Sequence, residues 1–470
     1  MAEPRDLSAM LEDASSIFRT VYFPGFSEMS YKRFGKIWSK LISPEERVAH
    51  GQGITMQYEI GPADTIRTGT DALGPIPYPD TISASSIQVR WSPKTPSGND
   101  FTRFAGSVAF DLYTLEEDDT ATAENLAKRI QSQVLPDYEE KDAILQNTPR
   151  SGQIALVNGT PTLATNQYYY VSSAGAATNT AGMRLQIDTG PIVAFRQHRK
   201  YDFYNSSGVL QAGNIECTDV NVADKSVGFR FNASGGGVMT GNISTGNLAS
   251  VADNHIITFA GTLNAGVYGV EAWMTEPTAG ESFVGGVDRT TPSYRCFLPI
   301  ATRRGATATK FTRSHFDDFS EAMGYTGEAE KNGLAFICDL AMHNAIRQEV
   351  GEDAFIPIPV DDSRLKRYAN FGSIGLNYQH GTFGLVKIIG DTLSPTNKIR
   401  ALDPTSWVNV WALHKELRPI MEGGTHFYRM NEEVPNTGKG LFYKADWYCN
   451  KVTFCKNGNA NGQILNITPT

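Results

Sequence analysis

The chain has 470 residues, 42 of them Lys or Arg and 50 Asp or Glu, for a net charge of −8. That length predicts two to four domains with a large core, and ordinary apolar content excludes disordered and collagen-like classes. The acidic balance argues against a protein that simply coats nucleic acid, and no apolar run approaches the ~18 residues needed to cross a membrane as a helix.

Residues 1–50 read as an arm. Leu7, Met10, Leu11, Ile17, Phe18 and Val21 give one amphipathic helix, broken by Pro24-Gly25. A basic second piece carries Lys32, Arg33, Lys36 and Lys40 between Phe34, Ile37, Trp38 and Leu41. Neither piece can bury its apolar side alone, so the arm must dock on something else. The N-terminal residues Met1 to Asp6 lack the pattern of a signal peptide.

Ile54, Met56, Tyr58 and Ile60 alternate with polar residues, as do Ile87, Val89 and Trp91. This predicts a two-stranded projection over 53–93, poor in core of its own. Val108, Phe110 and Leu112 give a strand leading to the acidic run Glu116 to Asp119. Leu126, Ile130, Val134 and Tyr138 then recur every fourth residue, predicting a helix over about 120–147, ~40 Å long. Pro136 is expected to kink it.

From 152 to about 265 charge falls and Gly, Asn, Thr, Ser and Val dominate. Short runs such as Tyr168 to Val171, Ile192 to Phe195, Val227 to Phe231 and Ile256 to Phe259 lie between turn signals. This predicts a self-contained all-β unit. The remainder reads as α+β, with helices at 312–324 and 340–350 and strands at 334–338, 383–389, 397–402 and 407–412. Asp339 is placed to cap the second helix, on which Leu340, His343 and Ile346 are expected to share a face.

The chemistry-bearing candidates are weak. No phosphate-binding loop, zinc-protease helix or nucleophile elbow is present, and no catalytic, cofactor or metal residue is expected. Ser234-Gly235-Gly236-Gly237 lacks the Lys-Ser/Thr of a phosphate cradle. His315 with Asp317 and Asp318 reads as a solvated helix face, and His198-Arg199-Lys200 as a surface corner. Arg303-Arg304 could face DNA or pair with a neighbouring subunit. Five cysteines, at 217, 296, 338, 449 and 455, fit no zinc spacing and are expected to be reduced thiols.

Five segments, in chain order, carry a resemblance. They are Gly106-Ser107-Val108-Ala109-Phe110 with the acidic run and helix after it, Gly285-Gly286-Val287-Asp288-Arg289-Thr290 with Tyr294, Leu334 to Val350, Asn397 to Trp407, and Trp447 to Asn466. The last is an aromatic strand, an Asn-Gly-rich corner and a short closing strand. Together they resemble the major capsid proteins of tailed double-stranded DNA phages, whose shell fold encapsulins share.

The resemblance implies an α+β fold with an N-terminal arm (1–50), an extended β-hairpin loop (51–105) and a peripheral domain with a long spine helix (106–158). An inserted all-β domain (159–265), a peripheral return (266–300), an axial domain (301–396) and peripheral C-terminal strands (397–470) follow. It implies self-assembly as hexamers and pentamers into an icosahedral head around non-specifically held double-stranded DNA. Separate scaffolding, portal and decoration proteins, no cofactor and no membrane are the matching partner expectations. The expected place is the virion, assembled in the host cytoplasm. Ile54, Met56, Tyr58, Ile87, Val89, Trp91, Phe18 and Trp38 are the expected assembly residues, and Lys32, Arg33, Lys36 and Lys40 the expected DNA-facing ones. Two alternatives remain at this point, an encapsulin-like compartment shell and, from another class, a β-rich carbohydrate-active enzyme using paired carboxylates.

Overall fold

A computed structural model describes residues 45–49, 53–59, 84–90, 102–111, 135–149, 152–164, 170–171, 177–178, 182–188, 190–230, 238–239, 251–264, 266–277, 283–284, 287–324, 334–350, 375–380, 384–412, 418–419, 428–429, 433–434, 438–439 and 442–469. In chain order, strands β1 (Glu45–Ala49), β2 (Gly53–Glu59), β3 (Ala84–Arg90) and β4 (Thr102–Asp111) precede helix α1 (Leu135–Gln146). Then come β5 (Gln153–Ala164), β6 (Gly182–Ile187), β7 (Lys200–Tyr204), β8 (Leu210–Asn221), β9 (Ser226–Arg230) and β10 (Ile256–Phe259). The remainder holds α2 (Val270–Met274), β11 (Ile300–Thr302), α3 (Ser314–Gly324), β12 (Ala335–Cys338), α4 (Leu340–Val350), β13 (Gly375–His380) and β14 (Gly384–Gly390). It closes with β15 (Lys398–Leu402), β16 (Trp407–Ala412), β17 (Phe442–Cys455) and β18 (Gly462–Leu465).

The body has two sheets. The first is built on β17, whose 14 residues pair with β4 along one edge and with β16 and the short strands Arg418–Pro419 and Tyr428–Arg429 along the other. β1 lies parallel to β16, from Glu45 opposite Val408 to Ala49 opposite Ala412. So the end of the arm is a body strand, which the sequence reading missed. Glu45-Glu46-Arg47 has no strand pattern; pairing along β16 supplies what local propensity does not.

The second sheet has the order β11-β18-β15-β12-β14-β13. Helices α3 and α4 bring Phe316, Phe319, Met342 and Ile346 into a core with Phe336, Ile388, Ile399 and Ile464. Strands β15 and β18 belong here, so the expected unit 397–470 is divided between the two sheets. Ile399 and Ala401 face this core, and their neighbours β12 and β18 complete the pairing.

The strands between Gln153 and Phe259 form a barrel. Its strands run β9-β6-β5-β10-β7-β8, every pair antiparallel, and β8 also pairs with β9, which closes the ring. Closure removes the unpaired edges that an open sheet would expose. Tyr201 and Phe203, Ile215 and Cys217, Val227 and Phe229 alternate inward. The Phe203 and Phe229 rings meet edge to face at 5.1 Å. Tyr201 donates from its hydroxyl to the Ala194 carbonyl (3.1 Å). The expected boundary at 158/159 falls inside β5, and the expected boundary at 105/106 falls inside β4.

Leu126, Ile130 and Val134 lie outside the described residues, as does the chain immediately before Leu135, so the expected stripe and the expected kink at Pro136 fall at or beyond the described part of α1. Leu340 is a correction. It is 49 % exposed, while Met342, His343 and Ile346 are buried. Residues 342 and 346 are one turn apart and set the buried face, which leaves 340 to the side.

A joint at the Asn-Gly corner and a hairpin rooted beside it

Asn461 is fully buried where the two sheets meet. Its side-chain oxygen accepts from the Asp403 amide (2.9 Å) and from the Trp407 indole (3.0 Å). Its amide nitrogen donates to Ser406 Oγ and to the Asn457 carbonyl, both at 2.8 Å. Asn can do this because it carries an acceptor and two donors on one planar group. The partner turn is itself fixed, since Asp403 accepts from the Thr405 amide at 3.0 Å and Pro404 follows at the start of its 3-10 turn.

The same corner grips a third segment. The Gly458 amide donates to the Cys296 carbonyl (2.7 Å), and Ile300 N donates to the Asn461 carbonyl (3.0 Å). A Cβ on Gly458 would stand 2.2 Å from the Phe297 carbonyl carbon, so only glycine fits there. Beyond the corner, Arg289 is buried and donates to the Trp273 carbonyl (2.7 Å), and Trp273 donates to the Thr453 carbonyl (3.1 Å). Burial pulls the Arg289 pKa down to about 10. Gly106 stands opposite Trp447 in the β4–β17 ladder. Of the five segments that resemble the capsid family, 397–407 and 447–466 bond to each other at this joint, while Gly106 pairs further along β17, Arg289 reaches β17 through Trp273, and β12 pairs with β15.

α1 is fastened to β17 by buried polar groups. Lys451 and Asp142 pair at 2.7 Å, and Lys451 lies over the Trp411 ring at 5.2 Å. Gln146 donates to Thr453 Oγ1 (3.1 Å), and Thr453 donates to Asn409 (2.9 Å). Glu139 is one turn from Asp142; burial first, and that neighbouring carboxylate second, push its pKa up to about 8. A fully buried Glu271 on α2 pairs with Lys398 and, at 3.4 Å, with Arg400. Sequence reading found none of these partners, since a charged residue inside a strand does not announce one 309 positions away.

The remaining candidates fall apart as sites. His315 is buried and takes the Thr312 amide (3.1 Å), whereas Asp318 pairs with Arg304 at 2.5 Å. Arg304 holds the Asp318 carboxyl below the usual range. Arg303 pairs with Glu276, so both arginines are used within the chain. Arg199 corrects the expected surface corner. It is largely buried and joins Asp137 (2.5 Å) and Glu140 (3.1 Å) of α1, while His198, beside Glu216, and Lys200 are exposed. The five cysteines are free thiols, and burial raises Cys455 to about 12. The segment Ser234 to Gly237 lies outside the described residues.

Of the expected assembly residues, β2 and β3 place Ile54 opposite Val89 and Met56 opposite Ile87, with Tyr58 opposite Ser85. The apolar positions of the two strands thus stand in register. β2 and β3 pair only with each other among the described residues, and β1 and β4 on either side are body strands. Trp91, Phe18, Trp38, Lys32, Arg33, Lys36 and Lys40 lie outside the described residues.

No family model and no curated protein matches the chain. Solved structures align with it. The capsid asymmetric unit of cyanophage A-1(L) does so at 11 % identity and TM-score 0.46, over 90 % of this chain and 89 % of that one. A structure of Mycobacterium phage Patience aligns at 11 % identity and TM-score 0.36, over 100 % and 90 % of the respective chains. The encapsulin complex of Synechococcus elongatus aligns at 14 % identity and TM-score 0.22, over 36 % of this chain and 54 % of that one.

Proposed function

We propose that this chain is the structural subunit of an icosahedral head that encloses double-stranded DNA. The observation that carries the reading is the pairing of four of the five segments within the two body sheets, two of them joined at Asn461. Short motifs that resembled one family by chance would lie scattered in the fold. Four of these, spread over more than 300 residues of sequence, pair strand to strand: β4 and β16 with β17, and β12 and β18 with β15.

The hairpin β2–β3 supports the same reading. A two-stranded ribbon is marginal in water by itself, and the apolar positions of this one stand in register. A neighbouring subunit is the partner that completes it. Obligate contacts of this kind bury ~2,000–5,000 Å². Hexamers and pentamers, non-specific contact with packaged DNA, separate scaffolding and portal proteins, and a place in the virion after assembly in the host cytoplasm follow from this reading. The arm docks along an adjoining subunit and is kept, with Phe18 and Trp38 on its buried side.

Val89→Asp tests the role of the hairpin. The expected result is loss of assembly in light scattering while circular dichroism and the melting midpoint of the unassembled chain stay unchanged. Unfolding of the isolated chain at the same dose of substitution, or unaltered assembly, contradicts it.

A further inference from the structure

The barrel is gripped from two sides of the body. Ala143, Ile144 and Leu145 of α1 share one continuous core with barrel residues Val157, Leu185, Tyr201, Phe203, Val227, Phe229 and Ile257. Arg196 and Arg199 reach α1 as well, pairing with Glu140 and Asp137. On the other side Leu393, 1 % exposed, enters the same core from the loop between β14 and β15 of the second sheet. Burial pushes the Asp339 carboxyl at the head of α4 up, and the Met342 amide and the charge of Lys225, in the turn between β8 and β9, offset part of that.

These footholds are connected beneath the barrel. Arg400 of β15 donates to Asn147 at the end of α1 (2.8 Å) and to Ser394 beside Leu393 (3.1 Å), and it pairs with Glu271 of α2. A cleft of about 400 Å³ lies between Gln153 and Asn254 on one side and Pro395 and Lys398 on the other. The neck is tight. Gly266 at the exit of the barrel packs on Gly152 at its start, where a Cβ would come within 2.7 Å of backbone atoms.

From this geometry we infer that the barrel is a latch across the subunit: its core closes only when α1 and the β14–β15 loop are seated together. Closure of the barrel and the relative placement of α1 and the second sheet are then one cooperative event. The inference concerns the single chain and does not depend on the shell reading, so failure of either leaves the other standing. Loss of a core side chain on one side of the latch must loosen the opposite side, because coupling between two sites is reciprocal.

Hydrogen exchange of the full chain reads this directly, since local opening is reported segment by segment. Leu393→Ala changes only the loop residue. It is expected to raise exchange in β5, β9 and β10 at least tenfold, besides its own loop. Phe229→Ala, or the milder Val227→Ala where the first does not fold, is expected to raise exchange reciprocally in Asp391–Asn397 and in α1. Faster exchange confined to the element that carries the substitution, in either direction, overturns the latch.

Discussion

Asn461 holds two sheets and a turn with one side chain, and its neighbours leave it no substitute. Asn461→Ala strands a buried indole N–H and a buried backbone N–H without partners, at about 1–3 kcal/mol each. The expected loss is ~3 kcal/mol, read as a shift of the denaturant midpoint of the unassembled chain. A shift worth under ~1 kcal/mol contradicts the role given to the corner. Glu139 gives the pH dependence. Its pKa is raised to about 8 in the fold against 4.5 for the free group, so its folded form holds a proton that the unfolded chain releases. Its stabilising share is complete below about pH 4.5 and is lost as pH rises through about 8. Glu139→Gln removes that loss and is expected to be at least ~1 kcal/mol more stable than the parent at pH 9 and near parity at pH 4. Equal pH slopes for both proteins contradict it. The Asn-Gly corner was legible in the sequence as a resemblance, but the bonds of Asn461 were not. Polar partners that are distant in sequence have no periodicity to read.

At the scale of elements, α1 sits on β17 through a buried pair. Lys451→Met or Asp142→Leu alone leaves one charge buried without its counterion and is expected to cost ~3–5 kcal/mol. The double substitution is expected to recover most of this, within ~1–2 kcal/mol of the parent, because both desolvation costs vanish together. Additive losses in thermal unfolding contradict the pairing. Elements with a clean period were legible. α4 was expected at 340–350 with Asp339 as its cap, and Asp339 accepts from the Met342 amide at 2.8 Å. The strands at 398–402 and 407–412 were expected within one residue. β1 was not legible, because its strand state comes from β16. Closure of the barrel was not legible either. It depends on β8, which is interrupted by irregular register near Asn214 in a left-handed conformation. A break in alternation hides such a strand from a period-two reading.

At the scale of the whole molecule, the described parts make two body sheets joined at one corner, a closed barrel seated on both α1 and the second sheet, and a ribbon paired only with itself among the described residues. The two sheets have cores, and the barrel shares one with α1 and Leu393, whereas the ribbon's register sets apolar positions opposite each other. In the proposed shell reading a neighbouring copy completes the ribbon, and the acidic balance suits a lining that must not hold DNA tightly. The most direct measurement is electron microscopy of the full chain expressed and purified under native conditions. The account predicts closed, evenly sized icosahedral particles in which the hairpin of one subunit lies across the next. A homogeneous population of single subunits under those conditions, or particles in which β2–β3 folds back on its own body, contradicts it.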